Sequence, residues 1–315
     1  MCAVALPAKA ERGDKVRASE TPEEHRVSVN GVQLAYFEWR CALRGDDAPI
    51  LLAHATGFHA RVWDRTIQHL GERYVIAVDQ RGHGRSQKTE ITHWKVFGQD
   101  LAAFVRALDL RDVVGVGHSM GGHAMTDAAA ACPDRFRRLV LIDPVIASPE
   151  EYNEGGRMME RWRDAKHPTA KRRNHFASPD EMFKRFRHRP PYAGFDPSAL
   201  RDYCEYGLLP APDGDGYMLA CPPQIEASIY MTSRTNGAVY DSVREIDIPV
   251  MILRAKAPAR KGDVMDFASS PTWPGLVREF KNGREVYLAD HTHFLPLEAP
   301  KLVAEYVLGS EADGR

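Results

Sequence analysis

Runs of apolar residues alternate with amphipathic stretches along most of the chain. Four of these runs lack polar alternation, which predicts strands buried on both faces of a parallel sheet, at residues 49–53, 74–78, 113–116 and 138–142. Between them apolar positions recur with helical spacing, at residues 62–70, 95–110 and 120–131. The alternation predicts an α/β fold with a doubly wound, mostly parallel sheet.

The pattern breaks in the middle of the chain. Residues 148–243 contain many aromatic, proline and charged residues but no buried-strand run, whereas strand and helix signals return afterwards, with strands at 248–253 and 286–288 and helices at 272–280 and 300–308. A β-hairpin is predicted before the first buried strand, because Asn30-Gly31 separates two short β-type runs. We therefore predict a disordered leader at 1–24, a core formed by 25–147 and 244–310, and a helical cap domain at 148–243.

The amino-acid composition excludes some classes of protein. Of the 315 residues 43% are apolar and 27% charged, as in ordinary soluble globular proteins, and the formal net charge of −1 gives no reason to expect a nucleic-acid partner. No stretch approaches 18 apolar residues, so no membrane span is expected. Five scattered cysteines without C-x-x-C spacing predict free thiols in a reducing compartment, the cytoplasm.

One segment departs from this charge balance. Residues 157–189 contain eleven Lys or Arg residues and four acidic residues. The simpler interpretation is a solvated helical face, and the alternative is attraction of a substrate that carries a carboxylate.

The sequence Gly117-His118-Ser119-Met120-Gly121 lies between a predicted strand and a predicted helix. A Gly-x-Ser-x-Gly in this context is typical of a nucleophile elbow, a turn so tight that only small residues fit beside the serine. The serine hydroxyl then projects above the sheet, and the helix N-terminus directs its amides at the reacting oxygen. We predict that Ser119 is a nucleophile.

An activated serine needs a base, and two histidines follow the last predicted strand. His291 and His293 lie in a loop at the carboxyl edge of the sheet, where open α/β sheets bind ligands. Their His-x-His spacing could also suggest a metal. No supporting carboxylate pattern accompanies it, so no metal site is expected.

Three motifs together resemble the α/β-hydrolase family: residues 117–122, the loop 79–86 and the terminal stretch 293–298, in the family's order. The resemblance covers about residues 25–310 and implies that His293 is the base and that no cofactor is needed. It also implies an acid after the strand ending near Arg254, where we prefer Asp266 and keep Asp263 open. Some relatives instead use the end of the strand before the cap, which makes Asp143 the main alternative.

The resemblance also implies an oxyanion hole of two backbone amides. One belongs to Met120, and the other to the loop His54-Ala55-Thr56-Gly57, where relatives typically have His-Gly and this chain has His-Ala. We favour Thr56 over Gly57 from the spacing, and expect His54 to tether its loop. Substrate-pocket candidates are Phe58, His118, Trp162 and Phe186.

These residues predict a serine hydrolase that cleaves a carboxylic ester, or a related acyl bond, of a small to medium apolar substrate through an acyl-enzyme. Two alternatives stay open: a carbon–carbon bond hydrolase acting on a diketone, and a hydrolase-fold ligand-binding protein with minimal turnover. For either kind of hydrolase the expected partner is a small-molecule substrate. The sequence does not choose among specific substrates or oligomeric states.

Overall fold

A single large sheet runs through the computed structural model, which describes residues 21–45, 47–154, 167–258 and 268–309. Its strands are β1 (Glu23–Val29), β2 (Val32–Trp39), β3 (Ile50–Ala53), β4 (Val75–Val78), β5 (Val113–His118), β6 (Phe136–Ile142), β10 (Val250–Ala255) and β11 (Gly283–Leu288). They are ordered β1-β2-β4-β3-β5-β6-β10-β11. β2 pairs antiparallel with β1 and β4, and all other pairs are parallel. The predicted mostly parallel sheet is confirmed.

The hairpin that begins the sheet forms as its turn residues predict. Asn30 and Gly31 have φ values of 46° and 73°. Two consecutive positive φ angles match the twist of a two-residue hairpin, and Asn-Gly adopts them at low cost. Val29 therefore pairs directly with Val32.

Helices cover both faces of the sheet. They are α1 (Asp64–Gln68), α2 (Lys95–Ala107), α3 (Met120–Ala131), α8 (Leu295–Glu298) and α9 (Pro300–Leu308). Neighbouring strand residues point to opposite faces, so Leu51 joins the core under α2 and α3 while Leu52 joins the core under α1 and α9. Both leucines are fully buried, which explains why the strand sequence lacks polar alternation.

The chain between β6 and β10 forms an inserted layer, which includes the helices α4 (Pro179–Phe186), α5 (Pro197–Tyr206), α6 (Pro223–Met231) and α7 (Val239–Glu245). It also forms a small antiparallel sheet of β7 (His175–Phe176), β9 (Tyr217–Leu219) and β8 (Leu208–Pro210), in that order. The segment predicted as a helical cap therefore also contains a small sheet, whose strands of two or three residues are too short to leave a period in the sequence.

Two helix predictions also need correction. The helix expected at 272–280 is reduced to a 3-10 turn at Leu276–Glu279, and the first part of the helix expected at 62–70 belongs to a 3-10 turn at Ala60–Trp63. Pro271, Pro274 and Gly275 precede the first of these turns and oppose a regular helix. No helix in the described residues is long and apolar enough to cross a membrane.

Candidate active site

Ser119 occupies a strained turn between β5 and α3. Its φ of 58° and ψ of −118° lie in a region that non-glycine residues rarely adopt. The Ser119 amide donates to the Ile142 carbonyl over 3.0 Å, which ties the turn to the end of β6. A Cβ atom on Gly121 would overlap the Ala53 carbonyl group, and one on Gly117 would overlap the carbonyl of Gly121. The turn therefore requires glycine on both sides of the serine.

Replacing Gly121 with alanine is expected to lower the free energy of unfolding by about 3 kcal/mol, because backbone atoms that cannot rotate away must shift. For a chain of this size that corresponds to a melting temperature lower by roughly 5 °C. Gly194→Ala is the matched control, since its added Cβ would meet only Glu298 Oε1 at an ordinary 3.6 Å. Equal melting temperatures for the two variants would contradict the steric argument.

A hydrogen-bonded series of three side chains begins at Ser119. His293 Nε2 lies 3.0 Å from Ser119 Oγ, and His293 Nδ1 lies 2.6 Å from Asp143 Oδ2. Ser119 follows β5, Asp143 follows β6 and His293 follows β11, so three strand ends at the carboxyl edge of the sheet bring them together. Ser119 is 5% exposed and Asp143 is fully buried.

Asp143 is held as a carboxylate by several donors. The Ala255 amide donates to its Oδ1 over 3.1 Å, and the hydroxyls of Ser270 and Thr272 donate to the same oxygen. Burial by itself opposes ionisation, but the hydrogen bond and charge of His293, with the donors from Ser270 and Ala255, outweigh it and lower the pKa of Asp143. An ionised Asp143 requires the proton of His293 to be on Nδ1, which leaves Nε2 to accept the Ser119 hydroxyl.

Among the three candidate acids, the carboxylate that lies beside His293 is that of Asp143, the alternative to the preferred Asp266. Asp266 and Asp263 lie outside the described residues. Ser270 and Thr272 were not anticipated from the sequence. They follow both of those aspartates in the sequence, so the segment before the 3-10 turn at Leu276–Glu279 contributes hydroxyl donors to Asp143.

The backbone of His293 is fixed from two sides. His118 Nε2 donates to the His293 carbonyl over 2.7 Å, and the His293 amide donates to the Ala268 carbonyl over 2.9 Å. Burial, with the neighbouring His293, lowers the pKa of His118 to about 3, so this ring is neutral and is not a competing base. His291 lies apart from this arrangement, with its Nδ1 3.7 Å from Glu298 Oε2.

The loop after β3 approaches the same edge, and two buried histidines hold it. The Gly57 amide donates to His83 Nε2 over 3.0 Å, while His83 Nδ1 donates to the Arg81 carbonyl. His54 donates to the Ala55 carbonyl and accepts from the Gln80 amide, which agrees with a tethering role.

The loop after β3 also offers a second oxyanion donor. Because the Gly57 amide already donates to His83, Thr56 is the better candidate for this donor. Within the described residues, the amides of Thr56 and Met120 have no protein acceptor.

A model of the alpha/beta hydrolase family matches residues 50–306, most of the chain. The chain belongs to the alpha/beta hydrolase family. The solved structure of E-2-(acetamidomethylene)succinate hydrolase superposes on this alpha/beta hydrolase with a TM-score of 0.70 at 23% identity, covering 93% of this chain and all of that one. This likeness describes the fold.

Relatives of known name match over shorter stretches. Lipase LipV of Mycobacterium tuberculosis is 39% identical over 103 residues, which are 32% of this chain and 38% of the relative. Non-heme chloroperoxidase of Streptomyces lividans is 33% identical over 42% of this chain and 50% of its own length. The 2-(acetamidomethylene)succinate hydrolase of Mesorhizobium japonicum is 33% identical over 40% of this chain and 44% of its own length. The chain thus spans half or less of the length of these relatives, which are named as a lipase, a chloroperoxidase and a hydrolase.

The predicted pocket residues of this alpha/beta hydrolase divide into three cases. The Phe58 ring lies 6.5 Å from the ring of His118 and 6.2 Å from that of Phe294, directly beside the Ser119 site. Phe186 lies farther into the inserted layer and stacks on Tyr192 at 4.3 Å. Trp162 lies outside the described residues. Phe58 and His118 therefore lie beside Ser119, whereas Phe186 lies farther along the same series of ring contacts, beyond Tyr203.

His59, next to Phe58, gives the fold a pH dependence. It is completely buried, and this burial lowers its pKa to about 3 despite a hydrogen bond to the Tyr203 carbonyl. Below pH 6.5 the unfolded chain binds a proton at this position that the folded chain does not, so stability decreases as pH falls. Between pH 7 and pH 5 the loss is about 2 kcal/mol.

Urea unfolding of His59→Gln at pH 7 and pH 5 checks this expectation. The decrease in unfolding free energy between the two values should be about 2 kcal/mol smaller than in the parent protein. His188→Gln, an exposed position, serves as the control. Parallel pH curves for the parent and His59→Gln would exclude His59 as the source.

Proposed function

We propose that this alpha/beta hydrolase is a serine hydrolase that cleaves a carboxylic ester, or a related acyl bond, of a small to medium apolar substrate. The observation that carries the proposal is the unbroken hydrogen-bonded series from Ser119 Oγ through His293 to Asp143. Nucleophile, base and orienting acid within hydrogen-bond distance are the parts that acyl transfer needs.

In the proposed reaction Ser119 Oγ attacks the carbonyl carbon while His293 Nε2 takes the hydroxyl proton. The carbonyl oxygen becomes an oxyanion, which the amides of Met120 and Thr56 stabilise. The resulting imidazolium is balanced by the buried Asp143 carboxylate. When the tetrahedral intermediate collapses, the bond to the leaving alcohol breaks and His293 gives its proton to the departing oxygen. Water, deprotonated by His293, then releases the acid and restores the Ser119 hydroxyl.

The geometry of the resting site supports this sequence of proton transfers. Asp143 accepts the Nδ1 proton, so the lone pair of Nε2 faces Ser119 Oγ. The strained Ser119 is the N-cap of α3, and Met120 is the first residue of that helix. A developing negative charge near the Met120 amide is thus placed at the positive end of the helix dipole.

The names of the relatives support acyl substrates without selecting one. LipV is named a lipase, whereas the relatives from Mesorhizobium japonicum and Acinetobacter baylyi are named hydrolases of substituted succinates. We propose ester hydrolysis as the activity to test first because it requires only the groups described at Ser119. Carbon–carbon cleavage of a diketone is the outcome to examine if esters fail.

The test is turnover of p-nitrophenyl esters with acyl chains of two to ten carbons, together with labelling by a fluorophosphonate probe. We expect labelling and chain-length-dependent turnover, and neither in Ser119→Ala. Labelling with hardly any turnover of esters or diketones would indicate a ligand-binding protein instead. The absence of both labelling and turnover would contradict a serine nucleophile.

A further inference from the structure

An ion pair within the inserted layer packs against the loop that contains Thr56. Arg172 Nη1 donates to Glu226 Oε2 over 2.6 Å. Glu226 lies in α6 with a side chain only 6% exposed, and a Cβ atom on Gly57 would come within 2.6 Å of its Oε1. The Arg172 guanidinium is thus separated by a single carboxylate from the residue that follows Thr56. The reaction proposed above makes no use of this pair.

The guanidinium retains hydrogen-bonding capacity. An arginine has five N–H donors, and among the described residues Arg172 directs one to Glu226 and one to the Tyr203 hydroxyl, at 3.3 Å. Its side chain is 22% exposed, whereas those of its partners are buried. Glu226 binds Nη1 through one oxygen only, so the remaining edge of the planar guanidinium is free for a second acceptor within the described structure. That edge matches the two oxygens of a carboxylate.

Aromatic rings connect this cation with the reactive serine. The Tyr203 ring lies 5.1 Å from that of Phe58, and Phe58 lies beside His118 and Phe294 at the Ser119 site. Tyr192 stacks on Tyr203 at 5.7 Å. The rings of Phe58 and Tyr203 thus lead from the residues beside Ser119 to the Arg172 guanidinium, which the Tyr203 hydroxyl contacts.

The ion pair by itself adds little to stability, because removing both charges from water offsets most of their attraction. Its structural effect is to fix the direction of the guanidinium. We infer that Arg172, oriented by Glu226 and assisted by the Tyr203 hydroxyl, binds a carboxylate of the substrate. Resting on the proposed acyl hydrolysis at Ser119, this inference specifies its substrate class: acyl compounds with a carboxylate a short apolar chain away from the scissile carbonyl.

The experiment compares p-nitrophenyl hydrogen succinate with its methyl ester, with every rate corrected for the enzyme-free reaction, because the free carboxylate attacks its own aryl ester. The parent protein should hydrolyse the acidic ester with at least a tenfold higher kcat/KM. In Arg172→Gln this ratio should fall at least tenfold, mainly through KM. The double variant Arg172→Gln/Glu226→Gln leaves no unpaired buried charge and should show the same loss if the single variant folds poorly. Arg173→Gln, at the neighbouring position paired with Glu181, should keep the ratio.

Failure of this inference differs from failure of the proposed function. Ser119-dependent hydrolysis of both esters at equal rates would overturn the carboxylate subsite and leave the hydrolase proposal intact. Equal losses on both esters in the double variant would also overturn it, since they would indicate a structural role. If neither ester is hydrolysed, calorimetry with monomethyl succinate and Ser119→Ala decides: binding that the double variant abolishes supports the subsite, and no binding overturns it.

Discussion

Replacing Ser119 with alanine is expected to lower kcat for p-nitrophenyl esters by roughly 10⁵- to 10⁶-fold. The substitution removes only the Oγ atom that lies 3.0 Å from His293 Nε2. It leaves the turn as it is, because alanine and serine have the same Cβ constraint at φ 58°. Rates from purified protein with the preferred ester, at saturating concentration, measure the effect.

The same experiment has an internal test of mechanism. Removing His293 as well should cost little more than removing Ser119 alone, because groups that act as one unit do not contribute additively. Ser148→Ala is the control, since that hydroxyl contacts the Glu151 amide outside the site. Retention of more than one per cent of the parent rate in Ser119→Ala would mean that another group carries the reaction.

The fold and the tight turn at Ser119 were predictable because their signals are local. Each buried strand is a continuous apolar run, as for Leu51 and Leu52, whose neighbouring side chains enter opposite cores. Ser119 is recognisable because the tight turn leaves no room for a Cβ atom at Gly117 or Gly121, two residues away on either side. The steric requirement therefore appears in the sequence as two glycines. The β-hairpin at Asn30-Gly31 was found for the same reason.

The acid beside His293 and the Arg172 ion pair could not be predicted, because each depends on contacts between segments far apart in the sequence. Asp143 and Asp266 both follow strands that end at one edge of the sheet, and no sequence pattern says which carboxylate meets His293 Nδ1. Likewise, Arg172 belongs to a basic segment in which the other described Lys and Arg residues are exposed. Only the packing of α6 brings Glu226 to it and buries the pair against Gly57. Composition correctly marked the segment as basic but could not single out this arginine.

The second large expected effect concerns the acid beside His293. Asp143→Asn is expected to lower kcat by roughly 10⁴-fold with little loss of folding stability. Asparagine tolerates the φ of 45° at this position. Its side-chain oxygen should replace Oδ1, where Ala255, Ser270 and Thr272 all donate, so that its NH₂ group faces His293 Nδ1. His293 must then carry its proton on Nε2, and it can no longer accept the proton of Ser119.

Asp266→Asn is the matched variant, since both substitutions remove one negative charge without changing size. If Asp143 orients His293, only Asp143→Asn produces the large loss in kcat. The residual rate should also rise at alkaline pH, because a His293 protonated on Nε2 cannot take the Ser119 proton and hydroxide must take it instead. A 10⁴-fold loss in Asp266→Asn with a near-parental rate in Asp143→Asn would reverse the assignment. The hydrogen bonds to Asp143 Oδ1 would then be structural, holding the loop after β10 against the end of β6.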